Sequence, residues 1–348
     1  MPYDRKKRKP REAFASRKAP YKNIGMLPRS RIFRHISIIW TVAVGDTELV
    51  DESLIGRASR PRELQDSLNY YIYHPLAYRL ANLLAHSCIT PNMVSIAGGL
   101  VVVAAAGAYS QASQPWLALL GFLLHMSWHV IDGADGDLAR MTGRASPLGE
   151  LVDGICDYFS HIVLYLVLAY RLSSQLGSTI AWTLTIAAGA SHIIQSNHFE
   201  VRRRQYQWWV YGVPWLGNAH KAELAHTGKL MALGSIYLKL AAWLSPNTSG
   251  IDAAITSAKD DPIRRQKIRL EIKAELFSFV PRLNILNSTW RTIALGISMM
   301  AGSPIYYFVH EIVILNLALI WSIRIQRAAT HRVICQIDEI GLGWRGTG

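Results

Sequence analysis

The chain has 348 residues, 50% of them hydrophobic, and carries a formal charge of +13. High apolarity with strong basicity argues against an ordinary soluble enzyme, and long apolar runs argue against nucleic acid as the partner. The combination suits a membrane protein whose positive charge gathers on the cytoplasmic side, facing anionic lipid.

Residues 1–63 read as a basic tail with one short apolar segment. The first 31 are rich in Lys, Arg and Pro, as in DRKKRKPRE, which predicts a solvated tail transiently attracted to anionic lipid. No long apolar run stands where a cleaved signal would need one. Residues 35–44 are apolar but shorter than the roughly 20 residues a span requires, so a strand or docked segment is expected. Residues 64–86 are amphipathic, aromatic and interrupted by Pro75, which suits a helix lying in the interface plane. Thr90 then offers an N-cap and Pro91 a first helical position.

Six spans are expected near residues 91–110, 116–139, 147–170, 178–198, 285–303 and 305–325. The connections alternate in charge. Those near residues 111–115 and 302–304 hold no Lys or Arg, whereas the N-terminus, Arg140, Arg144, residues 199–284 and residues 324–332 are basic. The positive-inside rule then puts both termini and the ends bearing Arg140 and Arg144 in the cytoplasm. Residues 230–244 are apolar but short and contain Lys239; they read as an interfacial helix, with residues 260–279 as a second helix packed against it. The fold class is therefore all-α and integral to the membrane. It has about six transmembrane helices, an N-terminal interfacial helix and a cytoplasmic helical insertion over about 199–284. The membrane domain is drawn at 64–328 and the C-terminal tail at 329–348. Cys88, Cys156 and Cys335 form no CxxC pair and no even framework, and Cys156 reads as packing.

The chain is organised around residues 132–157, DGADGDLARMTGRASPLGELVDGICD. Asp132 and Asp135 are three apart, and Asp153 and Asp157 four apart. On helices each pair shares a face, and two spans joined by a turn at residues 141–146 bring all four carboxylates to one membrane face. Ionisable groups at the end of a span persist chiefly when paired, metal-bound or lining a polar cavity. Four like charges exceed what one arginine neutralises. Hard divalent cations suit oxygen ligands, and Mg²⁺ commonly shares its site with substrate phosphates. Gly133, Gly136, Ala139 and Gly149 permit close approach of a bulky ligand. Asp137 points away from Asp132 and Asp135 on a helix and reads as a solvated acid.

The pattern D-x2-D-G-x2-A-R-x8-G-x3-D-x3-D is met at every position by Asp132, Asp135, Gly136, Ala139, Arg140, Gly149, Asp153 and Asp157. It resembles that of the CDP-alcohol phosphotransferases, integral membrane enzymes that build phospholipid head groups, and the Thr90-Pro91-Asn92 opening is similar too. The resemblance covers about residues 64–200 well and 285–328 only by hydropathy. It implies displacement of CMP from a CDP-linked donor by an alcohol hydroxyl. It implies Mg²⁺ or Mn²⁺ at Asp132, Asp135, Asp153 and Asp157, with Asp157 as general base. Gly136, Ala139, Arg140 and Gly149 would take the donor nucleotide and its phosphates. Homodimerisation is implied by the relatives. For the acceptor alcohol, His192, Gln195 and Glu200 at the end of the fourth span are candidates to face the site, against a role in helix–helix hydrogen bonding. Arg291 is a candidate anion ligand. The basic run Arg202–Arg204 reads first as a membrane anchor and second as a phosphate-binding site, and these basic residues tilt the reading weakly toward an anionic polar acceptor and a CDP-diacylglycerol donor. Tyr206, Trp208, Trp209, Tyr211 and Trp215 read as an interfacial aromatic belt. An aspartate-rich membrane prenyltransferase would need a second acidic motif, but residues 285–325 hold only Glu311. A cation transporter would use the carboxylates without needing the Gly136–Ala139–Arg140 pattern.

Overall fold

The computed structural model describes residues 61–213, 249–277 and 279–339, so the readings of residues 35–44 and 230–244 lie outside the described residues. Every regular element among them is helical. The segment before the first span forms a 3₁₀ turn at Arg62–Leu64, a π turn at Asn69–Tyr73 and helix α1, His74–Leu84. Pro75 was expected to interrupt this path. It falls at the start of α1 directly after the π turn, whose wider winding accommodates a missing backbone donor.

The spans begin where the capping residues direct. Helix α2 (Pro91–Ser110) starts with the Met93 amide donating to Thr90 Oγ1 at 3.3 Å. Helices α3 (Pro115–Met141) and α4 (Pro147–Leu176) form a tight hairpin. Its turn passes through Gly143 at φ +65, a left-handed conformation that favours glycine. Ser146 then caps α4 by accepting from the Gly149 amide at 3.0 Å. Next come α5 (Ser178–Tyr206) with a π turn at Gln207–Tyr211, and α6 (Ser249–Ser257) and α7 (Pro262–Leu276). A 3₁₀ stretch (Val280–Leu286) leads into α8 (Ser288–Met300), then α9 (Ile305–Val309), a π turn (His310–Ile314) and α10 (Leu315–Glu339).

Among the described residues, four helical stretches are long and apolar enough to cross a membrane: α2, α3, Val152–Leu176 of α4, and the continuous run Ile305–Ile337. The expected count of six therefore rests on α5 and α8. Helix α5 is 29 residues long but carries His192, Gln195, Asn197 and His198. Helix α8 has 13 residues, roughly 20 Å at 1.5 Å each, short of a bilayer core of about 30 Å.

Small residues set how the helices meet, as expected where lipid supplies no hydrophobic drive between them. A Cβ at Gly99 of α2 would stand 3.4 Å from the Cys156 carbonyl of α4, and one at Gly133 of α3 would stand 3.1 Å from Ala77 of α1. Gly133 was read as room for a ligand; it is room for α1. Gly296 of α8 is the tightest of these contacts, its absent Cβ only 2.1 Å from the Phe122 ring of α3. The apolar core of this bundle includes Tyr109, Leu164, Leu168 and Phe308.

A second core lies where the insertion meets the ends of α5 and α10, built on Tyr206, Trp209, Ile251, Ile268, Ile272 and Val333. This corrects the aromatic-belt reading for Tyr206, Trp208, Trp209 and Tyr211, while Trp215 lies outside the described residues. Tyr206 and Trp209 are each 2% exposed, and Trp209 Nε1 donates to Asp252 at 2.8 Å. Tyr206 and Tyr211 both donate to Glu63. Burial opposes the Glu63 charge, but these donors and the nearby Lys273 outweigh it and hold its pKa below the ordinary value. Aromatic residues followed by arginines resemble a membrane belt in sequence; the polar atoms they share with distant helices are what make them a core.

The α3–α8 crossing yields a test. Gly296→Ala should lower stability by about 1–3 kcal/mol through overpacking, read by thermal unfolding in detergent. Phe122→Leu in the same protein should recover part of the loss. An unchanged transition in Gly296→Ala would contradict the crossing.

Candidate functional site

The α3–α4 hairpin brings the aspartates together as their spacing requires. Asp132, Asp153 and Asp157 each present a carboxylate oxygen, and these oxygens all lie within 4.8 Å of one another. This is the single such group of three or more potential metal ligands among the described residues. Asp135 is buried beside it, accepting a hydrogen bond from Ser95 of α2 at 2.5 Å. The carboxyls of Asp135 and Asp153 are also within hydrogen-bonding reach, as are those of Asp157 and Asp132. Carboxyl groups in such contact must share protons or a cation. The donor set is all hard oxygen, which fits Mg²⁺ or Mn²⁺ and not a soft metal.

Asp157 is held on both ends. Trp128 Nε1 donates to its Oδ1 at 3.1 Å, and His161 Nδ1 lies 2.8 Å from its backbone carbonyl. Neither partner belongs to the motif. A tryptophan one turn before Asp132 was visible in sequence, but only the packing of α3 on α4 shows what its ring nitrogen does.

The remaining motif residues divide by role. Arg140 is exposed at the end of α3, and its guanidinium bonds Asp137 at 2.6 Å. Asp137 is 8% exposed, which corrects the solvated reading: it faces away from Asp132 but into packed protein, and it steers Arg140. Gly136 lies beneath that guanidinium, its absent Cβ 3.4 Å from Arg140 Nη1. Ala139 is partly exposed on the same turn. Gly149 sits at the α4 cap, where a Cβ would stand 3.3 Å from Ser146 Oγ and 3.6 Å from Asn92 Oδ1.

Asp157 also lines a cavity of about 540 Å³ running between α4, α5 and α8. Its walls include His125, His161, Tyr165, His192, Arg291 and Tyr307, together with Ile162, Leu166, Trp182 and Ile186. Those four apolar side chains are all exposed on the outer surface of the helices, so the cavity borders the surface that lipid would cover.

Of the fourth-span residues expected to face the site, only His192 lines this cavity. Gln195 donates to the Glu311 carbonyl at 3.0 Å and to Asn316 at 2.8 Å, and His198 pairs with Ser322 at 3.0 Å. Both therefore join α5 to the last helix. Glu200 is bound by Arg203 and Arg204, and Arg202 is buried against Gln205. Arg291 was read as an anion ligand. Its guanidinium instead bonds Glu311, 0% exposed, at 2.9 and 2.8 Å. Sequence marked Glu311 as the single acid of residues 285–325, which was the available signal for this pair.

The model of the CDP-alcohol phosphatidyltransferase family matches residues 88–256. Cholinephosphotransferase 1 of Gallus gallus is 25% identical over 162 residues, 44% of this chain and 46% of the relative. A CDP-diacylglycerol–serine O-phosphatidyltransferase of Encephalitozoon cuniculi is 30% identical over 136 residues, 36% of this chain and 32% of the relative. An archaetidylinositol phosphate synthase of Pyrococcus horikoshii is 31% identical over 107 residues, 31% of this chain and 52% of the relative. The chain thus spans between about a third and a half of the length of the curated relatives it matches.

The carboxylate geometry is tested by metal binding alone. The purified protein should bind Mn²⁺, followed by electron paramagnetic resonance. Asp132→Asn and Asp153→Asn should each weaken binding by at least about tenfold, the loss expected when one charged ligand becomes neutral. Equal affinity in both variants would dissolve the site.

Proposed function

We propose that this chain, which carries a CDP-alcohol phosphatidyltransferase domain over residues 88–256, is an integral membrane transferase of phospholipid synthesis. It displaces CMP from a CDP-linked donor by the hydroxyl of an alcohol acceptor. The observation that carries this reading is a carboxylate trio in which one member, Asp157, also opens onto a largely apolar cavity.

Asp132, Asp153 and Asp157, with Asp135 beside them, would hold Mg²⁺ or Mn²⁺, which when bound neutralises the charge of the donor diphosphate. Arg140, steered by Asp137, reaches the phosphates from the exposed end of α3. Gly136 and Ala139 leave that surface low enough for a nucleotide, and Gly149 keeps the α4 cap close to α2. Asp157 takes the proton of the acceptor hydroxyl. Trp128 fixes one of its oxygens by hydrogen bonding and so sets the orientation of the carboxylate.

Two arrangements of lipid and head group are open to this chemistry. The first, CDP-diacylglycerol with a polar acceptor, drew support from free basic residues after the fourth span. Arg203 and Arg204 are paired with Glu200, and Arg202 with Gln205, so that support weakens. An apolar cavity bordering the lipid-facing surface favours the second, in which the acceptor is a membrane-borne alcohol and the donor a CDP-linked head group. The name of the Gallus gallus relative is consistent with this arrangement, and that of the Encephalitozoon cuniculi relative with the first.

The positive charge of the Arg140 and Arg144 turn and of the segments after α5 supports a reading with the active site and both termini on the cytoplasmic face of the cell's inner membrane or its equivalent. Residues 64–328 form the membrane domain, with the insertion over about 199–284. The reading extends to a homodimeric working unit.

The direct test crosses donors with acceptors. CDP-choline, CDP-ethanolamine and CDP-diacylglycerol are each incubated with dioleoylglycerol, glycerol 3-phosphate, inositol phosphate or serine, with Mg²⁺ and purified protein in detergent. CMP release is expected with dioleoylglycerol and a CDP-linked head group. Release only with a water-soluble acceptor and CDP-diacylglycerol would reverse the assignment. Asp157→Asn should lower release by about 10²- to 10⁴-fold, the contribution of a positioned base, while donor binding persists. Turnover retained at wild-type rate would remove Asp157 from that role.

A further inference from the structure

The cavity wall contains two buried polar groups that the chemistry at the aspartates does not use. Among the described residues, the buried side-chain atoms on this cavity without a hydrogen-bond partner are Arg291 Nη2 and both ring nitrogens of His125. Each residue is 3% exposed. A buried donor without a partner is costly, so an oxygen supplied by a ligand at this position is favoured.

Arg291 is held firmly for such a task. Its Nη1 bonds both Glu311 oxygens and lies 3.0 Å from His192 Nδ1, and its Nε donates to the Leu286 carbonyl at 3.3 Å. Glu311 is in turn fixed by Tyr307 at 2.8 Å, and its carbonyl by Gln195. The guanidinium therefore presents one free N–H pair from a rigid frame. Its charge is already matched by Glu311, so a second anion would meet a carboxylate as well as a cation. A neutral oxygen, as in an ester or ether, gains the hydrogen bond without that repulsion.

We propose that Arg291 is a specificity-determining residue that binds an uncharged oxygen of the acceptor, with His125 offering a second polar contact on the same cavity. The acceptor class is then an alcohol with an apolar body and at least one ester or ether oxygen besides the reacting hydroxyl. Tyr165, whose hydroxyl contacts His192 at 3.3 Å, stands eight residues beyond Asp157, roughly 12 Å further along α4. The second oxygen is thus met between the reacting end and the apolar part of the molecule. This assignment rests on the membrane-borne acceptor proposed above.

The experiment uses the full chain in lipid nanodiscs and two acceptors. Dioleoylglycerol carries ester oxygens; oleyl alcohol carries a hydroxyl and a chain alone. Binding is read separately from chemistry, by quenching of tryptophan fluorescence with a diacylglycerol brominated in its acyl chains, because Trp128 and Trp182 line the cavity. Arg291→Met leaves Glu311 buried without a counter-charge and can fail to fold, so Arg291→Met with Glu311→Met removes the pair together, and Arg291→Lys keeps the charge but not the fork. The double variant should raise the KM for dioleoylglycerol and the quenching midpoint by about 10- to 100-fold, the range of a charge-assisted hydrogen bond. It should change kcat far less and affect oleyl alcohol far less, with Arg291→Lys intermediate. A wild-type quenching midpoint in the folded double variant, or equal losses for both acceptors, would overturn the role of Arg291. If the wild-type protein binds no brominated diacylglycerol and releases CMP only with water-soluble acceptors, the acceptor reading itself falls.

Discussion

Mutual repulsion among carboxylates governs this protein. Three carboxylate oxygens lie within 4.8 Å of one another. At an effective dielectric of about 20 each ionised pair costs at least about 3 kcal/mol, and the trio together costs about as much as a typical domain's entire stability of 5–15 kcal/mol. A chain that keeps such a group at the end of membrane helices must offset it with a cation or with shared protons. The α3–α4 hairpin holds the group in place, from the Gly143 turn to the Ser146 cap. Ser95, Trp128 and Asp137 orient the groups around it.

The cavity adds a second demand. Its inner wall holds a fully buried ion pair that joins Arg291 of α8 to Glu311, with further partners from α5 and α9. Such a pair contributes little net stability on its own, but losing one partner is expensive. It thus ties α5 and the last helical run to α8, which itself packs on α3. The two halves meet at Asp157, which belongs both to the carboxylate trio and to the cavity lining.

What the sequence revealed follows from the range of the interactions. Intervals of three and four residues place side chains on one helix face, so the grouping of Asp132, Asp153 and Asp157 and the caps at Thr90 and Ser146 depend on local geometry. Asp137 shows the limit of that logic. Spacing said which way it pointed relative to Asp132, but only packing decides whether that direction is solvent or protein. Gly133 is similar, since a small residue leaves room for a ligand or a helix alike, and here the helix is α1. The α5 polar residues were ambiguous for the same reason. Gln195 and His198 bind the last helix while His192 reaches the cavity, and the partners of Gln195 and His198 lie more than 100 positions away, where no periodicity connects them. The aromatic residues after α5 looked like a lipid-interface belt because composition does not encode the insertion core that covers them.

The account stands on the carboxylates working through a divalent cation, and chelation tests this most directly. CMP release by the purified protein would be measured with its preferred donor and acceptor, first with Mg²⁺, then with excess EDTA, then after restoring Mg²⁺ or Mn²⁺. The account predicts that EDTA abolishes release and that either ion restores it. Release that continues unchanged in EDTA would contradict the role assigned to Asp132, Asp153 and Asp157.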